Sequence, residues 1–199
     1  MINIDKISSA EPYTTFKNLY DKALTSEQKV IEAIAISSYN ALLDEVESRH
    51  VNLKYIIDEE WIFFSNYNSP KAQQFKARDQ ITALIFWNSI NVQIRIKAKI
   101  RKTDEIFSDL HYKGRTKEKN ALAHSSNQSQ LIESYDEVVK KYDKVLKNEN
   151  TLRFRPSYWG GFSFEPYYFE FWEGNQFRLN KREIFEKFKN NWKRKYLQP

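Results

Sequence analysis

The stretch VQIRIKAKI, residues 92–100, alternates without a break. Val92, Ile94, Ile96, Ala98 and Ile100 fall on one face and Gln93, Arg95, Lys97 and Lys99 on the other, the period of two that a strand with one packed face requires. The segment before it, ITALIFWN (81–88), reads as a buried strand. Further upstream VIEAIAISSYN (30–40), SRHVNLKYI (48–56) and EEWIFFSNY (59–67) also read as strands, and their short separators favour antiparallel pairing. Downstream, YWGGFSFEP (158–166), YYFEFWEG (167–174) and FRLNKREIFEKF (177–188) supply three more, with Gly174-Asn175 as a hairpin turn and WKRKYLQP as a tail.

Helices are fewer. In EPYTTFKNLYDKAL (11–24), Phe16, Leu19, Tyr20, Ala23 and Leu24 recur at helical spacing. In SPKAQQFKARDQ (69–80), Ser69 suits an N-cap, Pro70 the first helical position, and Lys71 sits in the first turn. TDEIFSDLHYKGR (103–115) reads as a short helix and TKEKNALAHSSNQ (116–128) as a loop. SQLIESYDEVVKKYDKVL (129–146) reads as an amphipathic helix, with Leu131, Ile132, Tyr135, Val138, Val139, Tyr142, Val145 and Leu146 on its inner side. Many strands and few helices predict a mainly β, α+β fold: an antiparallel barrel or sheet with flanking helices. A chain of 199 residues is expected to form one domain, with residues 1–10 as a flexible N-terminal tail.

Composition narrows the function. Hydrophobic residues at 41% and charged residues at 29% are ordinary for a globular protein, whereas 16% aromatic content is high. Residues 1–70 carry 6 Lys/Arg against 11 Asp/Glu, and residues 71–199 carry 26 against 15, so the later part invites an anionic partner. The absence of cysteine excludes disulfides, zinc-thiolate sites and thiol catalysis. No apolar run has the length of a membrane span and MINIDKISSAEP has no signal-peptide core, so a cytoplasmic protein without a membrane partner is expected.

Each local signal has a plain structural reading. With 4 glycines and no G-x-G-x-x-G or P-loop, a Rossmann or Walker site is not indicated. The S-P-K helix start could hold a phosphate through its free N–H groups and Lys71, but taken alone it is an ordinary capped helix. His50, His111 and His124 lack zinc spacing, so no metal is expected. The polar face of 92–100 is most simply a solvated edge that resists aggregation. Aromatics beside arginine can stack nucleic-acid bases, although such rings more often form core.

The order of the signals is more telling. R-H-V-N-L-K (49–54), F-F-S-N-Y-N-S-P-K (63–71), V-Q-I-R (92–95), S-N-Q-S (126–129), W-G-G (159–161), E-F-W-E-G (170–174), R-L-N-K-R (178–182) and the final L-Q-P together resemble the pyridoxamine 5'-phosphate oxidase family, over about residues 11–199. The resemblance implies a homodimeric split β-barrel with FMN at the subunit interface and no nucleic-acid partner. Arg49, Lys54, Phe64, Ser65, Lys71, Gln93, Gln128, Ser129, Trp172 and Arg182 match FMN-contacting positions, with Arg49 and Lys71 on the phosphate. Lys54, His111, Arg115 and Lys119 match positions that hold the substrate phosphate, and Arg178 and Asn180 match catalytic positions over its pyridine ring. The implied reaction oxidises pyridoxamine or pyridoxine 5'-phosphate to pyridoxal 5'-phosphate, with hydride passing to the flavin and O2 reduced to H2O2.

Departures from the family pattern bear on the substrate. Pro70 stands where the pattern has arginine, His111 where it has tyrosine, Lys119 where it has serine and Asn180 where it has histidine. Asn180 cannot carry a proton near neutral pH as histidine can. These positions motivate two alternatives, a related FMN oxidase with another substrate, as in phenazine synthesis, and a flavin-binding or nucleic-acid-binding protein without turnover.

Overall fold

The computed structural model describes residues 1–199. The strands are β1 (Asn3–Ile7), β2 (Ala33–Asn40), β3 (Glu45–Asp58), β4 (Glu60–Asn66), β5 (Gln80–Trp87), β6 (Val92–Lys102), β7 (Trp159–Glu173), β8 (Lys181–Phe188) and β9 (Asn191–Leu197). The helices are α1 (Glu11–Thr25), α2 (Pro70–Ala77), α3 (Glu105–Lys113), α4 (Lys117–Ser125), α5 (Tyr135–Leu146) and α6 (Glu149–Leu152). None of the helices is long and apolar enough to cross a membrane.

Two long strands create the architecture. The first half of β3, 14 residues long, pairs with β2, and its second half pairs with β4. On one edge β7, 15 residues long, pairs with β6; on the other it pairs with β4 from Trp159 to Phe164 and with β8 from Tyr168 to Glu173. Strands β3, β2, β5, β6, β7 and β4 therefore close a ring, and β8–β9 splay away where β7 changes partner. This is a split β-barrel, antiparallel except for the parallel β1–β3 pair. The change of partner coincides with a register shift that leaves Tyr167 without a partner on β6. Pro166 beside it lacks an N–H, which suits a bulge, so the two strands expected on either side of Pro166 form one bent strand.

The alternation of 92–100 holds: Val92, Ile94, Ile96, Ala98 and Ile100 are all buried. Strand β6 lies between β5 and β7, so its polar face is the outer wall of a central strand and not an edge. Helix α1 closes the barrel with its apolar stripe, placing Phe16 4.5 Å from Trp61 and Tyr13 5.2 Å from Phe169 between ring centres. The first residues are not a free tail. Strand β1 pairs with β3, Ile2 is buried, and the Ile2 N–H donates to the Tyr20 hydroxyl at 3.0 Å.

Other expectations are corrected as well. Residues 117–125 form helix α4 instead of a loop, with the Thr116 hydroxyl accepting from the Lys119 N–H and with Ala121 and Ala123 buried. The helix expected over 129–146 starts only at Tyr135, so Leu131 and Ile132 precede it; none of the residues of α5 is buried, and Leu131, Ile132, Tyr135 and Val139 are exposed. Residues 174–180 form a longer loop between paired Glu173 and Lys181, not a two-residue turn. The left-handed residues there are Phe177 and Arg178, whereas a side chain on Gly174 would strike that of Asn91. The expected tail pairs with β8 as β9.

Gly161 ties the barrel to the segment that carries α3. Its carbonyl accepts from Thr103 N–H at 2.9 Å, its N–H donates to Ser108 Oγ at 3.1 Å, and an added Cβ would collide with the Thr103 side chain. Gly161→Ala is expected to lower stability by about 1–3 kcal/mol, as overpacking does. A urea midpoint equal to the unmodified protein's would contradict this.

Candidate functional site

The end of β4 and the start of α2 build one half of the site. After Ser65 the chain turns, with the Asn68 N–H donating to Asn66 Oδ1 at 2.7 Å, and α2 begins at Pro70. Ser69 holds the expected N-cap position, its carbonyl accepting from the Ala72 and Gln73 N–H groups, while its hydroxyl donates back to the Asn66 carbonyl at 2.7 Å and fixes the turn instead of bonding a helix N–H. Lys71, in the first helical turn, is only 7% exposed. Its Nζ lies 3.3 Å from Ser65 Oγ and 3.5 Å from Ser69 Oγ. Burial, and then the nearby Arg49, push its pKa down to about 8. A buried ammonium beside a guanidinium is costly unless an anion joins them.

Gln128 completes this half, its Oε1 accepting from Ser65 Oγ at 3.0 Å and from the Asn66 N–H at 3.2 Å. Ser129 follows with a left-handed backbone, φ 67°. Arg49 is anchored by Ser38, Glu47 and Gln74, none of which the sequence reading singled out. Period two along β3 could have exposed Glu47, which shares a strand face with Arg49.

The other half comes from β3, α3 and the start of α4, with Phe64 of β4 and Trp159 of β7. Phe64 stacks on His111 with ring centres 3.6 Å apart and 11° between planes. Trp159 lies nearly parallel to Phe64 at 5.4 Å, and the Arg115 guanidinium covers the Trp159 ring at 4.1 Å. Trp159 stood in the W-G-G motif without an assigned role, because an aromatic-rich strand reads as core. His111 Nδ1 is 2.9 Å from the Tyr55 hydroxyl. Burial, followed by the charges of Arg115, Lys54 and Lys119, pushes the His111 pKa down to about 4. At neutral pH His111 is therefore an uncharged hydrogen-bonding group, and the cationic character belongs to Lys54, Arg115 and Lys119.

Both halves face one open cavity of about 940 Å³. It brings together Arg49, Lys54, Phe64, Ser65, Lys71, Gln128 and Ser129 of the expected cofactor set. It also gathers His111, Arg115 and Lys119 of the expected substrate set.

The remaining expected residues lie elsewhere. Gln93 pairs with Trp172, and Trp172 with Arg182, making a row across β6, β7 and β8 that none of the cavity residues joins. Val92, Ile94 and Phe171 point into the core, which puts this row on the outer wall. Phe86, 54% exposed, extends the row on β5. Arg182 donates to the buried Glu170 carboxylate at 2.8 and 3.0 Å, and Arg95 and Tyr168 bond the same group. Burial raises the Glu170 pKa, but these partners outweigh it and hold the group below the usual carboxylate range. Arg178 is exposed in the loop 174–180, where Asn180 Oδ1 accepts from the Asn175 N–H at 3.1 Å.

A ring of strands with a splayed C-terminal pair and a cationic cleft at its side defines the split-barrel class to which FMN-binding oxidases belong. The family model described as the pyridoxine 5'-phosphate oxidase C-terminal dimerisation region matches residues 159–199. A pyridoxine/pyridoxamine 5'-phosphate oxidase of Leptospira biflexa is 31% identical over 98% of this chain and 92% of its own length. One of Christiangramia forsetii is 33% identical over 95% and 89%. The chain belongs to the pyridoxine/pyridoxamine 5'-phosphate oxidase family.

Solved structures agree on the fold. PhzG from Burkholderia lata 383, in complex with tetrahydrophenazine-1-carboxylic acid, aligns with TM-score 0.89 and 25% identity over 96% of this chain and 93% of that one. A pyridoxamine 5'-phosphate oxidase-related, FMN-binding protein of Nostoc punctiforme aligns with TM-score 0.77 and 8% identity, covering 92% and 97%.

Proposed function

We propose that this protein is an FMN-dependent oxidase of pyridoxamine and pyridoxine 5'-phosphates, working as a homodimer with each flavin held between subunits. One observation carries the reading: residues matching a flavin site are divided in a single subunit between the cavity and the outer row Gln93–Trp172–Arg182. A second copy would bring its row against the first copy's cavity, and the partly exposed Phe86 and Leu84 on the same wall suit such a contact. The matched region's description as a dimerisation region supports the same arrangement.

The donor set suits a phosphorylated flavin. Lys71 and Arg49 offer two cations to its phosphate, with Ser65 and Ser69 hydroxyls beside them. When bound, FMN supplies a hydride acceptor that oxygen can regenerate, releasing hydrogen peroxide. The chain's own residues bind and orient. Lys54, Arg115 and Lys119 hold the substrate phosphate, and uncharged His111 offers a hydrogen bond in place of a charge. Arg178, on its exposed loop, reaches the substrate ring from the partner's side.

Asn180 favours a second reading, oxidation of a different substrate on the same flavin. It is already engaged with the Asn175 N–H and has no titratable proton to exchange. Similarity to PhzG, whose structure contains a tetrahydrophenazine acid, points the same way. The test is peroxide release by the FMN-loaded protein with pyridoxamine and pyridoxine 5'-phosphates. Turnover is expected; a yellow, FMN-loaded protein inert towards both would leave the second reading, and a protein that FMN cannot load would remove both.

A further inference from the structure

Arg49 does not wait in the cavity with its donors free. One terminal nitrogen donates to Ser38 Oγ at 2.6 Å and to the Glu47 carbonyl at 3.0 Å. The other donates to the Glu47 carboxylate at 2.9 Å and to Gln74 Oε1 at 3.1 Å. The other carboxylate oxygen of Glu47 in turn accepts from Asn40 Nδ2 and Gln74 Nε2, each at 2.8 Å. Period two of β3 puts Glu47 and Arg49 on one face, and both line the cavity with Lys71 and Pro70. The carboxylate is thus fixed by several donors at the place where an anionic ligand would approach Arg49.

We propose that Glu47 is a built-in competitor for the flavin phosphate, a carboxylate that engages Arg49 and opposes the entering dianion. This inference rests on the flavin reading above and adds what limits affinity at that site. Of the two cations in the cradle, Lys71 has only hydroxyl partners, while Arg49 is paired with Glu47. A phosphate can take Arg49 only by displacing the carboxylate or by tolerating a like charge beside it, and either costs affinity. Pro70 adds to the effect, since the position before Lys71 offers no side-chain cation. The protein would bind flavin phosphate weakly enough to exchange it.

Glu47→Gln separates charge from shape. The amide oxygen can still accept from Arg49 while the negative charge disappears; the amide nitrogen then replaces the oxygen that accepts from Asn40 and Gln74, a change of local bonding that riboflavin and FMN would feel alike. Titrating flavin into the flavin-free protein and following its fluorescence, we expect the variant to bind FMN about ten-fold more tightly. Riboflavin, which lacks the phosphate, should bind both proteins alike. Inorganic phosphate should compete with FMN more strongly in the variant. FMN binding that is unchanged or weaker in Glu47→Gln would overturn the proposal and make Glu47 a positioning residue for Arg49. Equal tightening of riboflavin would overturn it too, because the charge would then act on the ring. If neither protein binds FMN, the flavin reading itself fails and this inference falls with it.

Discussion

Replacing Lys71 with methionine is expected to weaken FMN binding by about 100-fold or more while making the flavin-free protein more stable at pH 7. The two effects share one cause. Lys71 is nearly buried, has hydroxyl partners only, and stands beside Arg49, so its ammonium is held at a cost that an arriving phosphate would relieve. Its pKa is about 8 in the folded chain against 10.5 for an ordinary lysine. Between those values the unfolded chain binds the extra proton, so stability from this group rises with pH through that window. Below pH 8 both states are protonated and the whole penalty, about 3 kcal/mol, is present. Methionine fills similar space without the charge, so the gain should be largest at pH 7 and largely gone near pH 10.5. Urea unfolding at both pH values, with an FMN titration, reads both effects. The unmodified protein should also bind FMN less tightly as pH rises above 8, because the cation is lost. A flat FMN affinity across that range, or a Lys71→Met protein no more stable than its parent, would refute the assignment.

That cost also bears on how sequence and structure relate. The barrel was legible where periodicity speaks for itself: the alternation in β6, the short separators among β2, β3 and β4, and the apolar stripe of α1. Pairing partners were not legible, because a strand's own pattern does not say which neighbour each half will take. Strand β7 reads as two strands around Pro166, yet it continues, since a bulge accommodates a residue without an N–H. Helix α4 reads as a loop because its mostly polar sequence, KEKNALAHS, hides a short buried face made only of Asn120, Ala121 and Ala123. For α5 the periodicity holds, but the face expected to be inner is not buried: amphipathicity marks a face and does not say what covers it.

The site shows the same division. Cations such as Arg49, Lys54 and Lys71 are recognisable through the resemblance of their motifs to the family pattern. What surrounds them is not, because Glu47, Gln74 and Tyr55 act through distances that only the closed barrel sets. His111 is the clearest case. Its residue type suggests a charge for an anion, but stacking on Phe64 and the cations around it leave it neutral. A positive neighbourhood strengthens anion binding and suppresses histidine protonation together, so residue type alone could not give the sign.

Mixing two inactive proteins should restore activity. If each flavin is held by Lys71 of one subunit and Trp172 of the other, Lys71→Ala and Trp172→Ala should each empty both sites of a dimer. The two residues lie in separate places on the chain, Lys71 in the cavity and Trp172 on the outer row between Gln93 and Arg182. In a mixed dimer one site combines both substitutions, and the other combines an intact Lys71 from one subunit with an intact Trp172 from its partner. Random reassociation makes half the dimers mixed, with one working site in each, so about a quarter of the parental sites should return. The measurement is FMN bound per subunit after the variants are mixed, gently dissociated and reassociated, with oxidase turnover as a second readout. Trp172 suits the experiment better than Arg182, because removing Arg182 would strip a partner from buried Glu170 and confuse lost binding with lost folding. A mixture as empty as its parents would place Lys71 and Trp172 on the same flavin within one subunit, or on no shared flavin at all. The division between cavity and outer wall would then have to be explained without a second copy.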